Sequence, residues 1–265
     1  MKGDDRLLKW AYELSKSLSA LVSRYGIAEA LIFEGVPPAI AMSDFFLYCV
    51  TKGTKHIRAA VVLVENGFSE DAIVLSRAAY ECYISAAYAT AHGPRAIDDL
   101  VYNVVGLSAK TVEYARTAKG RWDFRRLVDK KTGTFYDAPP SIQKMVQNTG
   151  YAADAIVHKY YYSFSSEHAH VNMAGSGNYR EGGLYTDQGN SQKHNAIFFT
   201  AYISVLLSSI TIARTDVEEH EKARVCREIG FARKQISKTL DKYSEDPTGE
   251  FAHAVRARLN DVVIQ

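Results

Sequence analysis

Apolar positions repeat with a helical period over most of the chain, and Gly and Pro interrupt that period at a few places. Leu7, Leu8, Ala11, Leu14, Leu18, Leu21 and Val22 form one stripe and predict a first helix from about Asp4 to Tyr25. After Gly35, Pro37 and Pro38, a second helix is expected from about Met42 to Glu65, stopped by Asn66 and Gly67. Ser69, followed by Glu70 and Asp71, has the form of an N-cap with acids in the first turn, so a third helix follows to about His92. A fourth is expected from Ala96 to about Lys119 on Leu100, Val101, Val104, Leu107 and Val112. Residues 121–140 are mixed, with a turn at Gly133. Short helical patterns cover 141–148 and Ala152 to about Ser165. The stretch Gly175 to Gly189 holds five of the seventeen glycines and predicts an irregular loop or small hairpin. Two long helices, about 192–213 and 216–242, and an amphipathic segment near 250–260 close the chain.

These elements predict an all-α fold: one helical-bundle domain over 1–265, with the small irregular or hairpin insertion near 175–190. The N-terminal helix, within residues 1–34, is allowed a peripheral position. The central layer is expected from the helices near 42–65, 70–92 and 192–213.

Composition narrows the class without changing the fold. With 47% hydrophobic and 23% charged residues the chain is neither disordered nor collagen-like. Its formal charge of +2 gives no global field, so any nucleic-acid role must come from a local patch. Cys49, Cys82 and Cys226 lie far apart with no CxxC spacing and are expected as reduced core thiols. The opening MKGDDRLLKWAYEL lacks an uninterrupted apolar region, so no secretory signal is expected and the location is expected to be cytoplasmic. Ala196–Ala213 is eighteen residues without a formal charge, close to the ~20 that cross a bilayer. Its Thr, Ser and Tyr hydroxyls favour a central helix contacted on several sides, and no membrane partner is expected.

Two passages carry candidate chemistry. Between Ala72 and Ala91 the only charged residues are Arg77 and Glu81, set among apolar and aromatic neighbours with no obvious solvent face. Burial of two charges costs several kcal/mol per ion unless they pair. A spacing of four lets them pair, although Arg before Glu is the less favourable order within a helix. Two readings stand: a structural ion pair, or an anion-binding Arg77 with Glu81 orienting it or acting as a base. The second passage, YYYSFSSEHAHVN over Tyr160–Asn172, crowds hydroxyls, an acid and two histidines. On a helix His168 and His170 diverge by roughly 200°, so a metal on Glu81, His168 and His170 requires the helix to end before His168. That set is the weaker alternative, and neither a metal nor another cofactor is expected.

A third feature is the run RWDFRRLVDKK, where Arg121, Trp122, Arg125 and Arg126 have the composition of a nucleic-acid contact, phosphates drawing the cations and bases stacking on the indole. The alternative is a solvated turn whose aromatics point into the core. No Walker loop, GxGxxG, HExxH or GxSxG occurs, which removes the common nucleotide-dependent, dinucleotide, zincin and hydrolase-elbow readings. His56 and His158 fall within helical stretches and are expected as satisfied structural histidines.

LSRAAYE in a buried helix, then SEHAHVN, a glycine-containing loop and two long helices together resemble, over residues 40–215, a bacterial helical family known only as a domain of unknown function. The positions carrying the resemblance are Arg77, Glu81, Ser166 and His170. That family is in turn distantly similar to the HEPN class, whose helical bundles often dimerise and include metal-independent ribonucleases of toxin and phage-defence systems. The resemblance therefore implies RNA as a candidate partner, a homodimer, and a catalytic set of Arg77, Glu81, Ser166 and His170. The HEPN signature itself, Arg and His separated by four to six residues, is met only by Arg214 and His220, and about one such match is expected by chance. Two other functions remain open on the residues alone: a non-enzymatic sensor or partner-binding module, and a metal-dependent hydrolase.

Overall fold

The computed structural model describes residues 3–25, 38–169, 180–181, 184–185, 192–243 and 249–262. Its long helices are α1 (Gly3–Tyr25), α2 (Pro38–Glu65) and α3 (Ser69–His92), then, after shorter elements, α7 (Ala152–Ala169), α8 (Lys193–Arg214), α9 (Glu219–Tyr243) and α10 (Glu250–Asn260). Between α3 and α7 lie α4 (Arg95–Ile97), a π-helical turn (Asp98–Tyr102), α5 (Asn103–Ser108), three strands and α6 (Ile142–Val146). The domain is mainly all-α.

Helix α8 is the axis of the bundle, packed against α1, α2, α3 and α9. It is long and apolar enough to cross a membrane, but 94% of its most apolar window is buried inside the protein, as in a core helix. Three of its hydroxyls are accommodated locally, whereas those of Tyr202 and Ser208 are buried without a hydrogen-bond partner among the described residues. Thr200, Ser204 and Thr211 donate to the carbonyls of Ala196, Thr200 and Leu207 at 2.6–2.7 Å, and Ser76 of α3 meets Thr200 at 2.8 Å. Gly53 lets α2 approach closely, because a Cβ there would lie 2.8 Å from Leu207 Cδ2. Cys49, Cys82 and Cys226 are buried thiols outside any disulfide among the described residues, as the sequence predicts.

The first helix is not peripheral. Leu7, Ala11, Leu14, Leu18 and Leu21 are fully buried against the core, and α1 packs on α2, α8 and α9. Ser17 donates to Glu228 of α9 at 2.7 Å, and Trp10 stacks on Phe231 at 5.1 Å. Ser69 opens α3 but does not cap it; Phe68 holds the cap position without a side-chain bond.

The largest departure from the sequence pattern lies at 96–140. Instead of one helix to Lys119, helical structure ends at Ser108, and Lys110 turns the chain with φ +58°. Val112–Arg116 forms β1, antiparallel to β2 (Trp122–Asp129), which pairs in turn with β3 (Phe135–Asp137). The apolar spacing that suggested a helix is weak here: Val104 and Val105 are exposed, whereas cross-strand pairing buries Ala115 and Leu127. Gly120 and Gly133, both at positive φ, make the two turns. Near 175–190 the expected hairpin is present as β4 (Arg180–Glu181) paired antiparallel to β5 (Leu184–Tyr185).

A buried ionic network ties α10 to α3 and α7. Asp154 and Arg258 are each 1% exposed and meet at 3.2 Å. The Tyr83 hydroxyl donates to Asp154 Oδ2 at 2.8 Å and accepts from Arg258 Nη2 at 2.8 Å. Thr149 donates to the same carboxylate at 2.9 Å, and the Tyr151 ring lies 3.6 Å from the guanidinium carbon. Burial pushes the Asp154 carboxyl above the usual range, while Arg258, Tyr83 and Thr149 draw it back down. Tyr83 and Asp154 hold Arg258 protonated against its own desolvation. Breaking such a pair strands one charge. Arg258→Ala is expected to destabilise the fold by about 3–5 kcal/mol, read as a lower urea midpoint with an unchanged slope.

Candidate functional site

Helices α3 and α7 face each other along a polar seam that runs from the Asp154 network to Arg77. One face of α7 presents Asp154, Val157, His158, Tyr161, Tyr162 and Ser165 at spacings of three and four, each buried or half-buried. Arg77 Nε donates to Glu81 Oε1 at 3.2 Å within α3, and Arg77 Nη2 donates to the Tyr162 hydroxyl at 2.5 Å across the seam. The guanidinium carbon lies 4.1 Å from the Tyr162 ring centroid. Arg77 is 16% exposed and Glu81 35%, so the pair sits at the mouth of the seam and is not fully buried as the sequence pattern predicts. Nη1 of Arg77 makes no hydrogen bond among the described residues. A fixed guanidinium with one nitrogen toward the opening is suited to an anion.

Of the other predicted residues, Ser166 is on α7 one turn beyond Tyr162, and its hydroxyl donates to the Tyr162 carbonyl at 2.6 Å. The hydroxyl is thus tied to its own helix. His168 packs edge-on against Phe164 at 4.8 Å, and burial holds its imidazole below the ordinary value. Because α7 continues through Ala169, the helix does not end before His168, and the condition for a His168–His170 metal pair is not met. His170 lies outside the described residues. Among those described, no three His, Cys, Asp or Glu side chains are grouped to hold a metal.

His158 and Tyr162 were not selected from the sequence, yet they complete the site. His158 is 9% exposed, stacks on Tyr80 at 6.0 Å and lies 4.7 Å from the Tyr162 ring. Among the described residues its Nδ1 is buried without a hydrogen-bond partner, and so is His56 Nε2, which corrects the expectation that both histidines are satisfied. Beside them, Gln143, Gln147, His158, Lys159, Tyr162 and Ser163 line a cleft of about 310 Å³ between α6 and α7.

A model of a family of unknown function (DUF5677) matches residues 44–183. The chain belongs to this family. The match bears out the resemblance to a family of unknown function and spans Arg77, Glu81, His158, Tyr162, Ser166 and the three-stranded sheet. Arg258, which anchors the far end of the seam, lies beyond the matched residues. No curated protein and no solved structure matches the chain.

The missed residues had a faint signal. Arg258 falls on the apolar stripe Phe251, Val255, Val262 of the last helix, and Asp154 on the stripe Val157, Tyr161 of α7. A charge on a core stripe implies a buried partner.

Of the predicted nucleic-acid residues, Trp122, Arg125 and Arg126 lie in β2, and Arg121 closes the turn before it. Trp122 and Phe124 are 45% and 67% exposed, so the aromatics do not point into the core. Arg121, Arg125 and Arg126 are exposed beside them.

Burial and, second to it, the Arg77 charge hold His158 below its ordinary value of 6.5. The folded protein therefore keeps this imidazole neutral where the unfolded chain binds a proton. Its contribution to stability is present above pH ~6.5 and is lost as pH falls through the folded value. The thermal midpoint is expected to fall between pH 7 and pH 5, less steeply in His158→Phe than in wild type, as followed by circular dichroism.

Proposed function

We propose that the α3–α7 mouth binds the phosphate backbone of RNA and that the protein is a HEPN-like, metal-independent endoribonuclease of the toxin or phage-defence type. The observation that carries this reading is Arg77, a guanidinium held by Glu81 and Tyr162 with Nη1 left for an anion. The family that LSRAAYE and SEHAHVN resemble, itself distantly similar to the HEPN class, supplies the reaction class.

The chemistry asked of the site is in-line transfer. The ribose 2′-oxygen attacks phosphorus, the bond to the 5′-oxygen breaks, and a 2′,3′-cyclic phosphate and a 5′-hydroxyl result. Arg77 stabilises the charge that builds on the equatorial oxygens, and Glu81 keeps its fork oriented. His170 is assigned the proton transfer, as general acid or base. Ser166, bonded to a main-chain carbonyl, supports the α7 backbone at Tyr162.

One observation favours a second reading. The cleft of about 310 Å³ lined by His158, Lys159 and Tyr162 is of a size for a small ligand, as a non-enzymatic sensor requires.

Purified protein is to be incubated with labelled mixed-sequence RNA and a chelator. Cleavage is expected, with a loss of about 10²-fold or more in Arg77→Ala and His170→Ala at an unchanged thermal midpoint. Absence of cleavage with and without added divalent metal would reject the enzyme in favour of the sensor.

A further inference from the structure

The three-stranded sheet carries a surface that the α3–α7 mouth does not use. From Lys110 to Asp137 there are eight Lys and Arg against four Asp and Glu, although the whole chain is only +2. Positive charge is thus concentrated on this segment, and the remainder of the protein is net negative.

Three of the four acids of the segment are engaged internally. Between Tyr114 and Ala115 the β1–β2 register shifts, so that Phe124, Arg125 and Arg126 bulge from the ladder. Asp123, 7% exposed, holds that bulge by accepting from the Arg125 amide at 3.1 Å and from Arg126 Nε at 3.1 Å. Asp129 accepts from the amides of Lys131 and Thr132, closing the second turn, and Glu113 pairs with Lys130 at 3.4 Å. Lys119 and Arg121 make no ion pair among the described residues, whereas Arg125, 91% exposed, pairs with Asp123 at 3.4 Å.

The same bulge displays aromatic rings. Tyr114, Trp122 and Phe124 line one shallow depression of about 410 Å³ with Lys110 and Lys130 at its sides, and the Arg116 guanidinium lies 3.9 Å from the Trp122 ring. Exposed rings are a cost in water unless a ligand covers them. Rings alone would fit an apolar protein partner, but rings flanked by Lys110, Lys119 and Arg121, cations without an ion pair among the described residues, match an alternation of bases and phosphates. The bases must be unstacked to reach the rings, so a duplex is a poor fit.

We infer that this bulged face of the sheet binds single-stranded nucleic acid, bases stacking on Trp122 and Phe124 and phosphates held by Lys110 at the side of the depression and by Lys119 and Arg121 in the turn next to Trp122. It rests on the proposed function only for the choice of RNA over DNA as the natural strand, and it requires no cleavage.

The test uses full-length His170→Ala protein with chelator, so that the strand stays intact, and a fluorescein-labelled 15-nucleotide RNA without self-complementarity. The matching DNA strand and the RNA duplex serve as comparisons. The single-stranded RNA is expected to bind more tightly than the duplex. Trp122→Ala and Phe124→Ala are each expected to weaken it about tenfold. Arg121→Gln is expected to reduce the slope of log K against log salt by about 0.7, a readout that loss of folding would not give. RNA bound better than DNA assigns RNA as the strand; equal binding assigns single strands in general. No binding, equal binding of the duplex, or indifference to both aromatic substitutions would overturn the inference. Cleavage by wild type with no sheet-dependent binding would sink this surface alone, and sheet-dependent binding without cleavage would sink the ribonuclease alone.

Discussion

The pairing of Asp154 with Arg258 is the constraint on which the α3–α7 seam depends. Two ions at 1% exposure would each cost several kcal/mol if left alone, so α7 and α10 are held in the one arrangement that brings them together. Tyr83 bridges the pair, which recruits α3 to the same geometry. Three helices are therefore fixed by hydrogen bonds with direction, where apolar contact alone would permit sliding.

The seam changes character along its length. At one end it is dry, and the tyrosines serve as polar-tipped core residues around Asp154. At the other, Arg77 and Glu81 reach partial exposure, and Tyr162 spans between the helices. His158 sits between these ends with an unpartnered buried nitrogen, which is tolerable only for a neutral ring. A rigid dry end and a wet mouth are what an anion site needs, because the guanidinium is positioned before the ligand arrives.

The sheet is built by a different means. It has little apolar core of its own beyond Ala115 and Leu127, and Asp123 and Asp129 shape it by accepting main-chain hydrogen bonds. Its aromatics face outward because the bulge at Phe124–Arg126 leaves them no core to enter. Phosphate binding at the seam and base stacking on the sheet would serve the same kind of strand.

Helical periodicity alone determined the all-α class and placed the long helices to within a few residues, because each buries a continuous stripe and Gly or Pro marks most of the breaks between them. It also marked Arg77 and Glu81, since two charges in an apolar run must have a reason to be there. The sequence did not reveal β1 and β2, whose β-branched and apolar residues satisfy a weak helical spacing until strand pairing decides otherwise. Nor did it reveal that Arg77 meets Tyr162, 85 residues away, or that Arg258 meets Asp154, 104 residues away. Local pattern encodes which face of an element is buried; only the packed fold decides which faces meet, and therefore which charges find partners.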